Sequence, residues 1–384
     1  MEKIQINPNR LQWCCNALDI DIDYLSKHIK IAKQTLDMAM QNQTVLSVAQ
    51  LQKIAKYFKR NLLFFIDPSD IQENKIYSIA FRTINNKEPI HSPKLRAFIE
   101  RVEKQRLVYI DLLEDINEPI EKNWKTKLEF NTKNIKQIST NIRQWLNLPI
   151  NYKFDDLREA IESKGIMVFI SNGYKGKWQI KKNENIRGFS LYYDILPIIV
   201  ITKQASEGAQ AFTLMHELAH LLLHKESAID NEENFYSYRG KEKEANEFAG
   251  NLLIPDNFLN QIDVQVLVNL DIAQYDNYLK QYKQSWCVSG EAILVRLLVN
   301  NKISNTHYQN YKNYKKDQLE EMKKNQARPI PRNYRYREPV KMFGKPFVYA
   351  VFDAFNNKHI TLAKASKYLD DLKISDIHKL EKYV

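Results

Sequence analysis

The 384-residue chain is poor in the residues that mark several special classes of protein. It has 3 cysteines, 9 glycines and 12 prolines. Because Cys14 and Cys15 are adjacent and Cys287 lies far along the chain, a disulfide framework is excluded and we expect reduced, structural thiols. So few glycines and prolines exclude a collagen-like or low-complexity chain. The length and the 44% content of hydrophobic residues instead predict two or three folded domains.

The sequence also lacks a long hydrophobic run. Its longest apolar stretches, such as residues 191–202, contain polar residues or proline and are much shorter than the roughly 20 residues of a transmembrane helix. The first eight residues do not follow the basic, apolar and small-residue order of a secretory signal. We therefore expect a cytoplasmic protein that has no membrane partner.

Positive charge is present in excess, and it is concentrated late in the chain. The net charge is +11, and residues 302–345 contain 12 Lys and Arg against 4 Asp and Glu. Within the basic stretch 311–340, tyrosines alternate with cations, a pattern that suits stacking on single-stranded nucleic acid or binding of an acidic partner. The same composition is typical of a solvated connector, and both interpretations stay open.

Hydrophobic patterning predicts a mainly helical α+β protein. The predicted order is a helical domain at 1–70, a linker with a bridging helix at 71–139, a compact domain with a small sheet at 140–265, and a helical region at 266–384. Individual predictions are helices at 92–117, 140–146, 155–163, 207–223 and 241–253, and strands at 166–170, 188–192 and 198–202.

One predicted helix carries a polar stripe on an otherwise apolar surface. Within 209–223, the polar residues Thr213, His216, Glu217 and His220 follow one another at i, i+3, i+4 and i+7. His-Glu-x-x-His is the zincin motif, in which two histidines one turn apart bind one zinc and the glutamate acts on the attacking water. The alternative is a chance pair of hydrogen-bonded core histidines. We predict zinc bound by His216 and His220, with Glu217 as general base.

A catalytic zinc needs a third protein ligand and an open position for water. His224 lies about 6 Å further along the helix axis, too far for the same tetrahedron, and we expect it to be a cation at the helix C-terminus. On the next helix, Glu242 lies near the edge of the apolar stripe, whereas Glu244 and Glu247 point away. Glu242 is therefore the predicted third ligand. Asn246, one turn later, is predicted to orient one of the ligands without binding the metal itself.

Several ordered motifs resemble the ImmA/IrrE family of metallopeptidases. They are Gly188-Phe189-Ser190-Leu191, Leu196-Pro197-Ile198-Ile199-Val200, the run Phe212–Leu223 that contains the His-Glu-x-x-His motif, and Glu242-x-x-Ala245-Asn246-x-Phe248-Ala249. The resemblance implies the same roles: His216 and His220 as zinc ligands, Glu217 as general base and Glu242 as third ligand. It further implies a peptidase that cleaves or inactivates a transcriptional repressor, often one encoded nearby or in a toxin–antitoxin locus.

Other segments resemble longer members of that family, which carry an N-terminal helix-turn-helix domain of the phage-repressor (XRE) type. Phe81-Arg82-Thr83 is one of the looser landmarks of this resemblance. Lys30 and Ala32 stand where such domains favour a turn glycine and a Ser or Thr cap. Residues 1–70 carry 9 Lys and Arg against 7 Asp and Glu, so the attraction to DNA phosphates is small. DNA is thus a weakly supported partner, and protein docking or dimerisation is the favoured alternative.

Two functions from different classes follow. The first is a zinc-dependent endopeptidase that acts on one regulatory protein. The second is a non-catalytic antitoxin or transcriptional regulator that binds a partner protein or DNA, with a structural or vestigial metal site. The sequence identifies neither the partner nor an oligomeric state.

Overall fold

The structure is a computed structural model that describes residues 3–18, 20–71, 92–120, 124, 134–174, 176–180, 184–204, 206–231, 239–324 and 332–384. The chain divides into two compact units, of which the first is Met1–Lys104 with Ile180–Glu184 and the second is Gln105–Gln179 with Asn185–Val384. None of the helices in these ranges combines the length and apolar character that crossing a membrane requires.

The first unit is a cluster of short helices around its own apolar core. Its helices are Pro8–Ala17 (α1), Ile22–Ile29 (α2), Lys33–Met40 (α3), Val48–Phe58 (α4), Leu62–Ile66 (α5) and the first part of Pro93–Asp115 (α6). Two short antiparallel strands, Lys3–Ile4 (β1) and Leu46–Ser47 (β2), pair beside them. Leu25, Leu36 and Leu51 are fully buried in the core that these helices share.

The turn between α2 and α3 is formed without the residues that usually favour it. Lys30 adopts a left-handed conformation with φ 55° at the end of α2, where glycine has no steric cost. Ala32 precedes α3 and makes no side-chain cap. Both residues are exposed. The left-handed turn and the missing cap, both predicted from Lys30 and Ala32, are therefore present in the backbone.

The second unit contains the small sheet and most of the helices. In the part before the polar helix, its elements are Ile135–Trp145 (α7), Phe154–Glu162 (α8), and the strands Met167–Ile170 (β3), Ile186–Leu191 (β4) and Ile198–Ile201 (β5). Next come Glu207–Ala219 (α9), a π-helical turn at His220–His224, the strand Ala228–Asn231 (β6) and Gly240–Leu253 (α10).

The rest of the second unit is helical. Its helices are Asp256–Leu259 (α11), Val264–Asn269 (α12), Tyr275–Tyr278 (α13), Lys280–Ser285 (α14), Gly290–Val299 (α15), Asn305–Lys324 (α16), Glu338–Phe343 (α17), Lys345–Asn356 (α18), Leu362–Tyr368 (α19) and Ile374–Glu381 (α20). Short 3₁₀ turns occupy Ile272–Gln274 and Arg335–Arg337.

Within the described residues the larger sheet has four strands in the order β3-β5-β4-β6. β3 and β5 are parallel, whereas β4 is antiparallel to both β5 and β6. The fully buried run Ile198–Ile201 is the apolar sequence expected of a central strand. β4 places Gly188 opposite Asp230 of β6, and the register is irregular between Ile186 and Gly188. Because the sequence predicted three strands, β6 is a correction.

Helix α9 lies at the centre of this unit, because it contacts β4, β5, α8 and α10, and α10 in turn contacts α7. Apolar residues of these elements, including Leu214, Leu218, Phe248 and Leu252, are fully buried in one continuous core. A mainly helical α+β protein is thus confirmed. The long helix predicted at 92–117 is observed at Pro93–Asp115, and all three cysteines are buried free thiols as expected.

The basic stretch 311–340 is described only in part, because residues 325–331, like Phe81-Arg82-Thr83, lie outside the described residues. Arg332 pairs with Glu338, and Arg335 pairs with both Glu338 and Asp370. Arg337 lies against the rings of Tyr334, Tyr336 and Tyr383, 4.7–5.3 Å from their centroids. Arg332, Arg335 and Arg337 therefore contact acidic or aromatic side chains of the same chain. This favours the interpretation of this part of the stretch as a connector.

Candidate metal centre

The candidate site is built on the polar stripe of α9. Thr213, His216 and Glu217 are completely buried, and His220 is 1% exposed. At His220 the helix changes to a π-helical turn, a distortion that occurs frequently at functional sites. Polar side chains buried in an apolar core need partners, so the neighbours of this stripe define the site.

The structure brings the three predicted metal ligands together. The Nε2 atoms of His216 and His220 are 3.2 Å apart. Glu242, in the first turn of α10, places Oε2 3.3 Å from Nε2 of His216 and Oε1 3.7 Å from Nε2 of His220. The contact between α9 and α10 therefore places two imidazoles and one carboxylate around a common point.

These separations match the dimensions of a zinc site. Zinc binds histidine nitrogen and carboxylate oxygen at about 2.0–2.2 Å, so two ligand atoms of a tetrahedral site are roughly 3.3–3.6 Å apart. The observed separations of 3.2, 3.3 and 3.7 Å between ligand atoms lie close to that range. Two imidazoles and a carboxylate are also donors that zinc prefers. The residues fit the metal that their motif predicts.

Asn246 fixes the orientation of His216. Its Oδ1 lies 2.9 Å from Nδ1 of His216, so that Nδ1 donates the hydrogen bond and Nε2 keeps its lone pair for a metal. Asn246 is one turn after Glu242 on α10, which is where the sequence predicted an orienting residue. One helix thus supplies both a candidate ligand and the group that orients a second one.

His220 is oriented by a different chain of groups. Its Nδ1 lies 3.0 Å from Nδ1 of His224, and Nε2 of His224 lies 3.2 Å from Oε2 of Glu244. Burial and the neighbouring His220 lower the pKa of His224 to about 4. His224 lies in the last turn at the helix end, as expected, but the lowered pKa disfavours the positive charge that was expected there.

Glu217 lies against strand β4 with little room to move. A Cβ atom added to Gly188 would lie 2.4 Å from Oε1 of Glu217 and 2.9 Å from Cγ2 of Thr213. Neither carboxylate oxygen makes a hydrogen bond of good geometry to the described chain, although Ser190 and Asp230 are near enough to affect the pKa. Burial, reinforced by Asp230, raises that pKa well above its usual value. Burial of this kind makes the carboxylate bind a proton more readily than an exposed one does.

Asp230 belongs to this cluster, and the sequence did not single it out. It is completely buried, and its Oδ2 lies 3.2 Å from Nε2 of His216 and 3.3 Å from Nε2 of His220. Ligand atoms of His216, His220, Asp230 and Glu242 all lie within 4.8 Å of one another. The strand that holds Asp230 is four residues long, so its sequence carries little periodicity. Only its pairing with β4 shows that this acid faces the histidines.

The electrostatics of the cluster favour a bound cation. Burial lowers the pKa of His216, but hydrogen bonds to Asp230 and Glu242 outweigh it and raise this pKa to about 9. Burial raises the pKa of Asp230, yet the contacts with His216 and His220 hold it well below its usual range. The two carboxylates thus stabilise positive charge between the imidazoles, which is the charge that a divalent cation would supply.

A buried His-Glu-x-x-His helix with a glutamate from the following helix is the arrangement of side chains that metallopeptidases use to hold zinc. In agreement with this class, residues 161–298 match the model of the peptidase M78 family, described as the IrrE N-terminal-like domain. The matched segment includes α9, α10 and the sheet. No curated protein and no solved structure matches the chain.

Proposed function

We propose that the chain is a zinc-dependent endopeptidase that cleaves one regulatory protein, such as a repressor or a toxin–antitoxin partner. The main support for this proposal is that His216, His220 and Glu242 lie at the spacing of a tetrahedral zinc site inside an otherwise apolar core. The match of residues 161–298 to a peptidase family supports this proposal. The choice of a regulatory substrate rests on the resemblance to the ImmA/IrrE peptidases.

Each residue of the cluster has a role in this proposal. His216, His220 and Glu242 would hold the zinc, and Asn246 would keep His216 in the required tautomer. A bound zinc would act as a Lewis acid and lower the pKa of a coordinated water to about 7. Glu217 accepts the proton of the attacking water and passes it to the amide nitrogen that leaves.

The test is co-expression of the chain with the protein encoded next to it, in zinc-supplemented cells. Intact-mass spectrometry then compares the wild type with Glu217→Gln, which keeps the shape of the side chain and removes the base. We expect fragments of the neighbour with the wild type and a cleavage rate at least 100-fold lower with Glu217→Gln. Bound zinc, measured on the purified proteins, should be equal in both.

Glu207→Gln is the matched control, because Glu207 is an exposed acid in the first turn of the same helix. This variant should cleave like the wild type. If Glu217→Gln cleaves the neighbour as fast as the wild type does, the peptidase proposal is wrong.

The second candidate is a non-catalytic antitoxin or regulator in which the metal site is structural. The observation in its favour is Asp230, since four protein ligands are typical of structural zinc sites. This candidate predicts that an uncut neighbour co-purifies equally with the wild type and with Glu217→Gln. It also predicts that removal of zinc by a chelator lowers the thermal stability of the complex.

The first unit is proposed to dock a protein or to dimerise, with DNA as the weaker alternative. The small charge excess of residues 1–70 supports this choice, because it provides little attraction to DNA phosphates. Sequence-specific DNA binding predicts a salt-dependent footprint that is lost when residues 1–70 are deleted. A footprint of that kind would overturn the docking proposal.

A further inference from the structure

Asp230 occupies a distinctive position in the sheet. β6 is an edge strand of the described sheet, and Asp230 pairs with Gly188 of β4. The pairing is irregular directly beside this point, between Ile186 and Gly188. The strand therefore carries a completely buried carboxylate on a four-residue segment that is held to the sheet by one neighbour.

The distances place this carboxylate at a fourth corner of the proposed site. Oδ2 of Asp230 lies 3.2 and 3.3 Å from the Nε2 atoms of His216 and His220, as close as those two atoms are to each other. The edge of a tetrahedral zinc site is roughly 3.3–3.6 Å for ligand bonds of 2.0–2.2 Å. Asp230 thus has the same geometric relation to the two histidines as Glu242 has.

That corner is the one a peptidase has to leave open. A catalytic zinc keeps three protein ligands and offers its remaining position to water or substrate. Asp230 also pairs with Gly188, at which an added Cβ would lie 2.4 Å from Oε1 of Glu217. Its carboxylate is therefore next to the predicted base and next to both histidines, which is where the attacking water has to be.

β6 also covers an edge that a substrate could use. Extended peptides commonly bind by adding a strand to an exposed sheet edge. On the side of β4 that faces away from β5, the backbone positions from Gly188 to Ser190 are already paired with β6. The segment that supplies Asp230 thus takes up the edge of β4 next to Glu217.

We propose that Asp230 is a displaceable fourth ligand, and that β6 keeps the metal site closed until a partner or substrate moves it. This inference rests on the proposed metal site. Opening exchanges one oxygen donor, the Asp230 carboxylate, for another, a water molecule, and no covalent bond or oxidation state changes. Activity is then regulated by release of β6, and metal supply is not required as the switch.

The test uses the full chain with Co²⁺ in place of zinc, because the visible spectrum of Co²⁺ reports its ligands. Azide is the probe of the fourth position. We expect Asp230→Asn to alter the visible spectrum, to retain one equivalent of Co²⁺ and to bind azide at least tenfold more tightly than the wild type. The wild type should still saturate at higher azide, because Asp230 can be displaced.

Glu207→Gln is the control for charge, since it removes one negative charge from an exposed position on α9 outside the metal cluster. It should leave the azide affinity unchanged. Asp230→Ala replaces Asp230→Asn if thermal unfolding shows that the Asn variant is not folded. An unchanged spectrum or unchanged azide affinity in the folded variant overturns the proposal, and so does a wild type that never binds azide.

The metal content separates this inference from the proposed function. If the wild type binds no Co²⁺ and no zinc, the proposed metal centre itself has failed. If the wild type binds one equivalent and His216→Ala binds none, the centre stands, and the azide titration alone decides the role of Asp230. Cleavage of the neighbouring protein is not needed for either decision.

Discussion

The two compact units differ in where they place residues that are unusual for their position. In the second unit, His216, Glu217 and Asp230 are completely buried. In the first unit, Lys30, which has a left-handed backbone conformation, and Ala32, which precedes α3 without capping it, are exposed. Buried polar groups are costly unless they have partners, whereas an exposed departure costs about 1 kcal/mol. The burial in the second unit is therefore informative about function, and the surface departures in the first unit are informative mainly about stability.

The strongest test of this contrast is Gly188→Ala. The added methyl group would lie 2.4 Å from Oε1 of Glu217 and 3.0 Å from the carbonyl oxygen of Val200. Since Glu217 is completely buried, it has to shift, and we expect at least a 100-fold loss of peptidase activity with zinc retained. The free energy of unfolding should fall by about 1–3 kcal/mol, as in other overpacked cores. Cleavage rate, zinc content and urea unfolding measure these effects.

Gly173→Ala is the matched control, because its nearest neighbour would be an ordinary contact at 3.6 Å with the side chain of Lys203. This variant should match the wild type in every measurement. If Gly188→Ala keeps full stability and full activity, Glu217 has room to move. Burial of the polar stripe would then not constrain the site.

A second test concerns a buried carboxylate outside the metal cluster. The Glu162 side chain is 6% exposed and pairs with Arg158 at 2.8 Å. Burial raises the pKa of Glu162 to about 7, although Arg158 acts in the opposite direction. The folded state keeps a proton that the unfolded state releases above about pH 4.5. The free energy of unfolding should therefore fall as pH rises from about 4.5 to about 7, by up to roughly 3 kcal/mol.

Urea unfolding of the wild type and of Glu162→Gln over this pH range measures the effect, because the amide cannot titrate. The difference between the two proteins should depend on pH. If the difference in the free energy of unfolding between the wild type and Glu162→Gln does not depend on pH, burial does not raise the pKa of Glu162.

The parts of the site that lie on helices could be predicted from the sequence. Helical periodicity placed His216, Glu217 and His220 on one stripe, and the same geometry selected Glu242 and Asn246 on the next helix. The structure brings these five residues together. Their roles as metal ligands, base and orienting group stay predictions. The prediction of position succeeds because the spacing within a helix is local and nearly fixed.

The parts that depend on pairing between distant segments could not be predicted. Asp230 reaches the histidines only because β6 pairs with β4, across about 40 residues of sequence. A four-residue strand carries too little periodicity to be recognised alone. The lowered pKa of His224 was missed for a related reason, since it depends on burial and on the neighbouring His220, which the π-helical turn places beside it. Tertiary context decided both features.

The smallest expected effects are on the stability of the first unit, and here the substitutions should stabilise the protein. Lys30→Gly should raise the free energy of unfolding by up to about 1 kcal/mol, because residue 30 has φ 55° and glycine adopts that conformation freely. Ala32→Ser should add about 1 kcal/mol by capping α3, which now has no side-chain cap. Hydrogen exchange of amides in α2 and α3, together with thermal unfolding, measures both gains.

Lys53→Gly provides the control of opposite sign. Lys53 is exposed within α4, so glycine there should cost about 1 kcal/mol. If Lys30→Gly destabilises the unit as Lys53→Gly does, the lysine at position 30 does not strain the left-handed turn. Its side chain then stabilises the unit in another way. If either stabilising change also alters zinc affinity, the surface departures of the first unit bear on the metal centre. The contrast between the two units would then be wrong, because stability in one unit and function in the other could not be treated separately.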